Sequence, residues 1–167
     1  AVSPTSAAHV RASLGDRVGL ILDGGETAQG IESTIVGLRA DGSWAILRPG
    51  PIEEARIAAV LGEAHAGRAQ DRGGIEAPGQ LASHYAPGKP VRLDAPDAEP
   101  DEFLIGFGAV AGDVSLSRAG DLAEAAARLY ACLHLAADDA RPRIAVAPIP
   151  DRGIGVAIND RLRRAAA

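Results

Sequence analysis

Apolar positions in this chain fall into short runs broken by glycine, proline and charge, and their period changes several times. Ser3-Pro4 reads as an N-cap followed by proline at the first helical position, leading a helix to about Leu14. The run Val18 to Leu22 in "RVGLILDGG" closes on a glycine pair and predicts a buried strand. "IESTIVGL", Ile31 to Leu38, is rich in β-branched residues and predicts another. "ADGS" is a turn, and "WAILRPG" is a strand stopped by Pro49 and Gly50. "PIEEARIAAVLG" has proline at its start, acids in its first turn and glycine at its end, all helix signals.

From Glu63 to Pro90 no period is visible, and so long an unpatterned stretch predicts a linker or a functional lid. Beyond it "VRL", Val91 to Leu93, and "FLIGFG", Phe103 to Gly108, read as strands. "DLAEAAARLYACLHLAADD" is the strongest helix, with Leu122, Ala126, Leu129 and Leu133 along one stripe. "RIAVAPIP" is a buried strand, and "GIGVAINDRLRRAAA" opens on glycines and ends as a helix. Strands alternating with helices predict a small α/β unit with a parallel sheet.

Composition narrows the function classes. The 167 residues are 47% hydrophobic and 23% charged, ordinary for one compact domain or two small ones, but only 3% aromatic. The core must therefore be built from Ala, Val, Leu and Ile. The formal charge of −5 is spread along the chain without a basic face, which argues against sequence-independent nucleic-acid binding. RNA contact is further weakened by the lack of interleaved aromatic and basic residues. Cys132 is the single cysteine, which excludes an internal disulfide and suits a reducing cytoplasm. No apolar run reaches transmembrane length, so no membrane association is expected. The chain begins directly on a helix signal and reads like the C-terminal part of something longer.

Several stretches carry candidate chemistry. In a strand, "GIESTI" would put Glu32 and Thr34 on one face and Ile31, Ser33 and Ile35 on the other. Ser33 on an apolar side would need a partner, which suits a polar ligand such as an amino acid, although a half-exposed strand explains the pattern equally well. Arg48 ends a buried strand, where open α/β sheets bind ligands, and a guanidinium there can grip phosphate or carboxylate. The alternative is a rim arginine in a surface ion pair. "GFGAVAG" is a weak dinucleotide-turn match because "DVSLSRAG" follows where a helix is required. His9, His65, His84 and His134 are far apart without ligand spacing, so no dedicated metal site is indicated. Cys132 lies on the apolar helix and reads as core. The segment "PGQLASHYAPGKP" is unusual for a spacer, since it holds Tyr85, one of the two tyrosines.

Taken in order, "SPTSAAHV", "LILDGG", "GIESTIV", "ILRPGPI", "APGQLASHYAPGKPV" and "GIGVAINDRLRRAA" form a succession that resembles the threonylcarbamoyl-AMP synthase family, in its long YrdC-like form with an appended domain. The resemblance spans the whole chain. It implies an α/β fold in which residues 1–62 are the C-terminal part of a YrdC-like open sheet, 63–90 an interdomain linker or lid, and 91–167 a Rossmann-like parallel-sheet domain. It implies nucleotidyl transfer: L-threonine, bicarbonate and ATP give threonylcarbamoyl-adenylate and pyrophosphate, with the group then passed to tRNA by a downstream transferase complex. By the same resemblance Ser3, Arg48 and Tyr85 bind ATP and Ser33 contacts L-threonine, while the catalytic residues are not assigned. Mg²⁺ is expected on the phosphates rather than in a protein site. The family's Lys/Arg clamp belongs to an earlier half, so the 167 residues alone are expected to be inactive. The competing expectation is a truncated, non-catalytic nucleotide-binding or regulatory module.

Overall fold

The computed structural model describes residues 2–62, 65–68 (backbone only), 76–79, 81 and 84–167. Much of the stretch expected to be a linker thus lies outside the described residues. The first helix, α1, runs Ala7–Leu14. Its cap is Ser6, whose hydroxyl accepts from the His9 amide at 3.3 Å, and not Ser3 as the sequence suggested. Either serine matches the cap preference, but the Ser3 hydroxyl instead donates to Glu32.

Strands β1 (Ile35–Leu38) and β2 (Trp44–Arg48) form an antiparallel hairpin, with Ile35 opposite Arg48. Asp41 closes the turn by accepting from the Ser43 amide at 2.9 Å. Helix α2 (Glu54–Leu61) packs Ile57 against Trp44 and Ile46, and the Trp44 indole N–H caps the helix end through the Gly62 carbonyl at 3.0 Å. Strand β3 (His65–Arg68) pairs parallel to β2, so the stretch expected to be unstructured contributes a strand. The expected strand at Val18 to Leu22 is not formed. Leu20 and Leu22 are 78% and 84% exposed, because an apolar run becomes a strand only when a neighbouring strand pairs with it.

The second half holds a four-stranded, all-parallel sheet in the order β4 (Val91–Arg92), β7 (Arg143–Val146), β5 (Glu102–Gly106) and β6 (Val114–Ser115). Helices α3 (Leu122–Asp138) and α4 (Gly155–Ala166) cover one face. Leu129, Leu133, Ile105, Ile144, Ile158 and Leu162 fill the space between, and small alanines let the layers approach where aromatics are scarce. Ala95, Leu104 and Ala145 form a separate small cluster. "GFGAVAG" folds back through a Phe107–Val110 bridge into β6 and leads into no helix, so it is not a dinucleotide turn. Cys132 is fully buried in the core, and burial raises its thiol pKa, as suits a packing role. Among the described residues no helix is long and apolar enough to cross a membrane.

The two halves share one core. Val2, Ile31 and Tyr85 lie in the same apolar cluster as Ile105, Leu129 and Ile158. Gly30 makes this possible: its φ is +69°, and a Cβ there would lie 2.3 Å from the Ala126 carbonyl of α3.

Candidate active site

Beyond the Ile35 to Arg48 ladder, two irregular segments face each other: residues 31–34 before β1 and Pro49-Gly50 after β2. Their contact requires glycine at position 50, where a Cβ would fall 2.3 Å from the Thr34 amide nitrogen. This closeness brings Arg48 onto Ser33. Arg48 Nε donates to the Ser33 carbonyl at 3.1 Å and Nη2 to Ser33 Oγ at 3.3 Å. Ser33 is exposed, not on an apolar face, because residues 31–34 precede the strand and do not follow its alternation. Among the described residues no carboxylate pairs with Arg48.

Tyr85 reaches the same place from the other side. It is 1% exposed and adopts φ +62°, rare for a residue with a Cβ. Its hydroxyl has no hydrogen-bond partner among the described residues. A Cβ placed on Gly79 would lie 2.6 Å from that hydroxyl and 3.2 Å from Arg48 Cδ, so the phenol and the arginine share one wall. Burial raises the Tyr85 pKa, keeping the hydroxyl a donor.

Ser3 joins indirectly. Its hydroxyl donates to Glu32 Oε1 at 2.7 Å, and Tyr130 donates to both Glu32 oxygens at 3.1 and 2.9 Å. Arg161 Nε donates to Glu32 Oε2 at 3.0 Å. Burial would raise the Glu32 pKa, but the Ser3 and Arg161 hydrogen bonds outweigh it and hold the carboxyl below its ordinary value. Arg161 itself is fully buried, and it also reaches Asp160 and the Pro49 carbonyl. The sequence gives Glu32 only as part of the polar face of "GIESTI" and marks no role for Tyr130, Asp160 or Arg161. The one available signal was a run of charge, "NDRLRR", on an otherwise apolar helix.

Residues 52–167 match the family model described as the C-terminal domain of threonylcarbamoyl-AMP synthase, and residues 1–50 match one described as telomere recombination. The chain belongs to the threonylcarbamoyl-AMP synthase family. It is 33% identical to a threonylcarbamoyl-AMP synthase of Bacillus subtilis strain 168, covering 98% of this chain and 53% of that protein. Against the enzyme of Pyrococcus abyssi strain GE5 the identity is 30%, over 98% of this chain and 54% of the relative. The crystal structure of P. abyssi Sua5 complexed with L-threonine superposes with a TM-score of 0.81 at 28% identity, covering 99% of this chain and 54% of that one. The chain therefore spans about half the length of these family members.

Two further features accompany the cluster in this family member. His9 and His134, distant in sequence, stack with ring centroids 3.9 Å apart, and His134 Nε2 lies 3.2 Å from the Ser3 carbonyl. Among the described residues no group of three or more His, Cys, Asp or Glu could hold a metal. Behind the Pro49-Gly50 turn, a cavity of about 170 Å³ lies between Thr34, Glu53, Gly153 and Val156, but Ser33, Arg48 and Tyr85 do not line it.

Proposed function

We propose that this chain is the C-terminal portion of an L-threonylcarbamoyladenylate synthase, in which Arg48, Tyr85 and Ser3 serve the nucleotide and Ser33 serves L-threonine. The observation that carries this reading is the grouping of Arg48 and exposed Ser33 with the Tyr85 hydroxyl, where among the described residues neither Arg48 has a carboxylate partner nor the hydroxyl a hydrogen-bond partner. A family relative was solved with L-threonine bound. Another solved structure is a P. abyssi Sua5 variant in which an adjacent histidine and tyrosine are both alanine, and this sequence has one such pair, His84-Tyr85.

The chemistry suits these groups. An oxygen of N-carboxy-threonine attacks the α-phosphorus of ATP, and the bond from that phosphorus to the pyrophosphate oxygen breaks. This transfer needs positioning and charge neutralisation rather than a protein nucleophile. Arg48 supplies fixed positive charge, and Ser33 orients the amino acid. The buried Tyr85 ring excludes water from a carbamate that decomposes in it. Mg²⁺ would neutralise the triphosphate. Glu32 already accepts from Ser3, Tyr130 and Arg161, so the ion would rest on phosphate and water. The adenylate would then pass to a tRNA-modifying transferase.

In the full-length enzyme, incubated with L-threonine, bicarbonate and ATP, Arg48→Ala should lower kcat/KM for ATP about tenfold or more, the effect of losing one charge-assisted phosphate contact. Pyrophosphate release measured at subsaturating ATP checks it, and unchanged turnover would remove Arg48 from the nucleotide site. ATP binding without pyrophosphate release by the unaltered full-length protein would place it among non-catalytic nucleotide-binding modules.

A further inference from the structure

Ser3, Ser33 and Tyr85 lie in irregular segments and Arg48 at the last position of β2, and one buried side chain of α4 touches neighbours of all of them. Arg161 is 0% exposed. Each of its three guanidinium nitrogens is engaged: Nε with Glu32 Oε2 at 3.0 Å, Nη1 with Asp160 Oδ2 at 2.7 Å, and Nη2 with the Pro49 carbonyl at 2.9 Å. Glu32 precedes Ser33, and Pro49 follows Arg48. The guanidinium carbon also lies 5.4 Å from the centroid of the Tyr85 ring, in cation–π range.

We propose that Arg161 is the positioning residue of this cleft, its rigid fork fixing Glu32, Pro49 and the Tyr85 ring so that Ser33, Arg48 and Tyr85 are set together by a helix of the appended unit. The inference rests on the functional reading above for what those residues bind, while the brace itself is geometric.

A bland buried ion pair accounts for less. Charge balance needs only carboxylates, and Asp160 and Glu32 supply them; it does not call for a bond to the Pro49 carbonyl. Arg164, one turn on, extends the hold to the chain before Tyr85. It shares Asp160, its Nη1 donates to the Leu81 carbonyl at 2.7 Å, and its own carbonyl accepts from the His84 amide at 3.0 Å. One helix therefore grips three segments that no sheet orders. Lysine could not replace this, because an ammonium is a point donor on a flexible stem and cannot hold three fixed directions at once.

The test uses the full-length enzyme carrying Arg161→Met, Arg161→Lys or, as a control for general destabilisation, Leu104→Ala. Leu104 lies in the separate cluster with Ala95 and Ala145. Pyrophosphate release gives the KM values for L-threonine and ATP apart from kcat, and hydrogen exchange without substrates follows the amides of 31–34, of Arg48 and Gly50, and of 84–86. Arg161→Met should raise both KM values about tenfold or more, as expected when a charged hydrogen-bonding group is lost. Exchange should quicken in all three segments together while α3 and β5 keep their protection, and Arg161→Lys should recover only part of either effect. If Arg161→Met does not fold, Arg161→Lys carries both measurements. Unchanged KM values with only a lower Tm, or an equal KM rise in Leu104→Ala, would overturn the proposal. A wild-type enzyme that releases no pyrophosphate would end the functional reading alone, and the exchange pattern would still decide for or against the brace.

Discussion

A buried hydroxyl with no partner among the described residues is unusual, and Tyr85 places one beside Arg48. Leaving such a group unpaired costs about 1–3 kcal/mol, which a ligand bonded to the hydroxyl would offset. Tyr85→Phe keeps the ring against Arg161 and Tyr130 and removes only that oxygen. The variant should melt no lower than wild type, and its KM for ATP should rise. A lower Tm with unchanged kinetics would make the hydroxyl structural. Ser33 tests the other ligand. Ser33→Ala should raise KM for L-threonine more than KM for ATP. Because Ser33 Oγ accepts from Arg48 at 3.3 Å, equal losses for both ligands in calorimetry would mean that Ser33 acts through Arg48 instead.

The elements that organise these residues differ in how openly the sequence declares them. β2, β5, β7, α3 and α4 were legible, because burial on one or both faces writes long apolar runs or stripes. β6 was not, since two residues carry no period, and Val18 to Leu22 was misread because an apolar run says nothing about whether a partner strand is at hand. Arg48 stood out by its place at a strand end. Glu32, Tyr130 and Arg161 did not, because Glu32 and Arg161 are 129 residues apart and nothing local marks their meeting. The turn linking the two irregular segments gives an element-scale prediction. In Gly50→Ala the new Cβ would lie 2.3 Å from the Thr34 nitrogen and 2.7 Å from the Ser33 carbonyl carbon, both backbone atoms that cannot swing aside. The turn must separate from residues 31–34, breaking the Arg48–Ser33 contact. Substrate-dependent pyrophosphate release should fall steeply while hydrogen exchange in α3 and β7 stays slow, and a variant of near-normal activity would show that the two segments need not touch.

At the scale of the molecule, carboxylates held below their ordinary pKa tie the sheet and the junction together. Glu102, with its side chain fully buried, is held at about 2 by the Arg92 hydrogen bond, which outweighs the opposing effect of burial. Asp139 is held at about 2 chiefly by Arg141. Glu32 is lowered in the same direction at the junction between the halves. Each folded-state carboxyl therefore binds fewer protons than its unfolded counterpart. Such groups contribute their full stability above the ordinary carboxylate values, 4.5 for Glu and 3.8 for Asp, and lose it as pH falls toward 2. Burial also lowers the pKa of His9 and His84, so some stability is already lost as pH drops below the ordinary histidine value of 6.5. Urea midpoints measured from pH 7 downward should fall gently below 6.5 and more steeply below about 4.5. Glu32→Gln should lower the midpoint at pH 7, because it leaves the buried Arg161 charge less compensated, and should make the acid decline shallower because one titrating group is gone. A Glu32→Gln curve that runs parallel to wild type throughout the acid range would show that the junction carboxylate carries no part of the pH dependence.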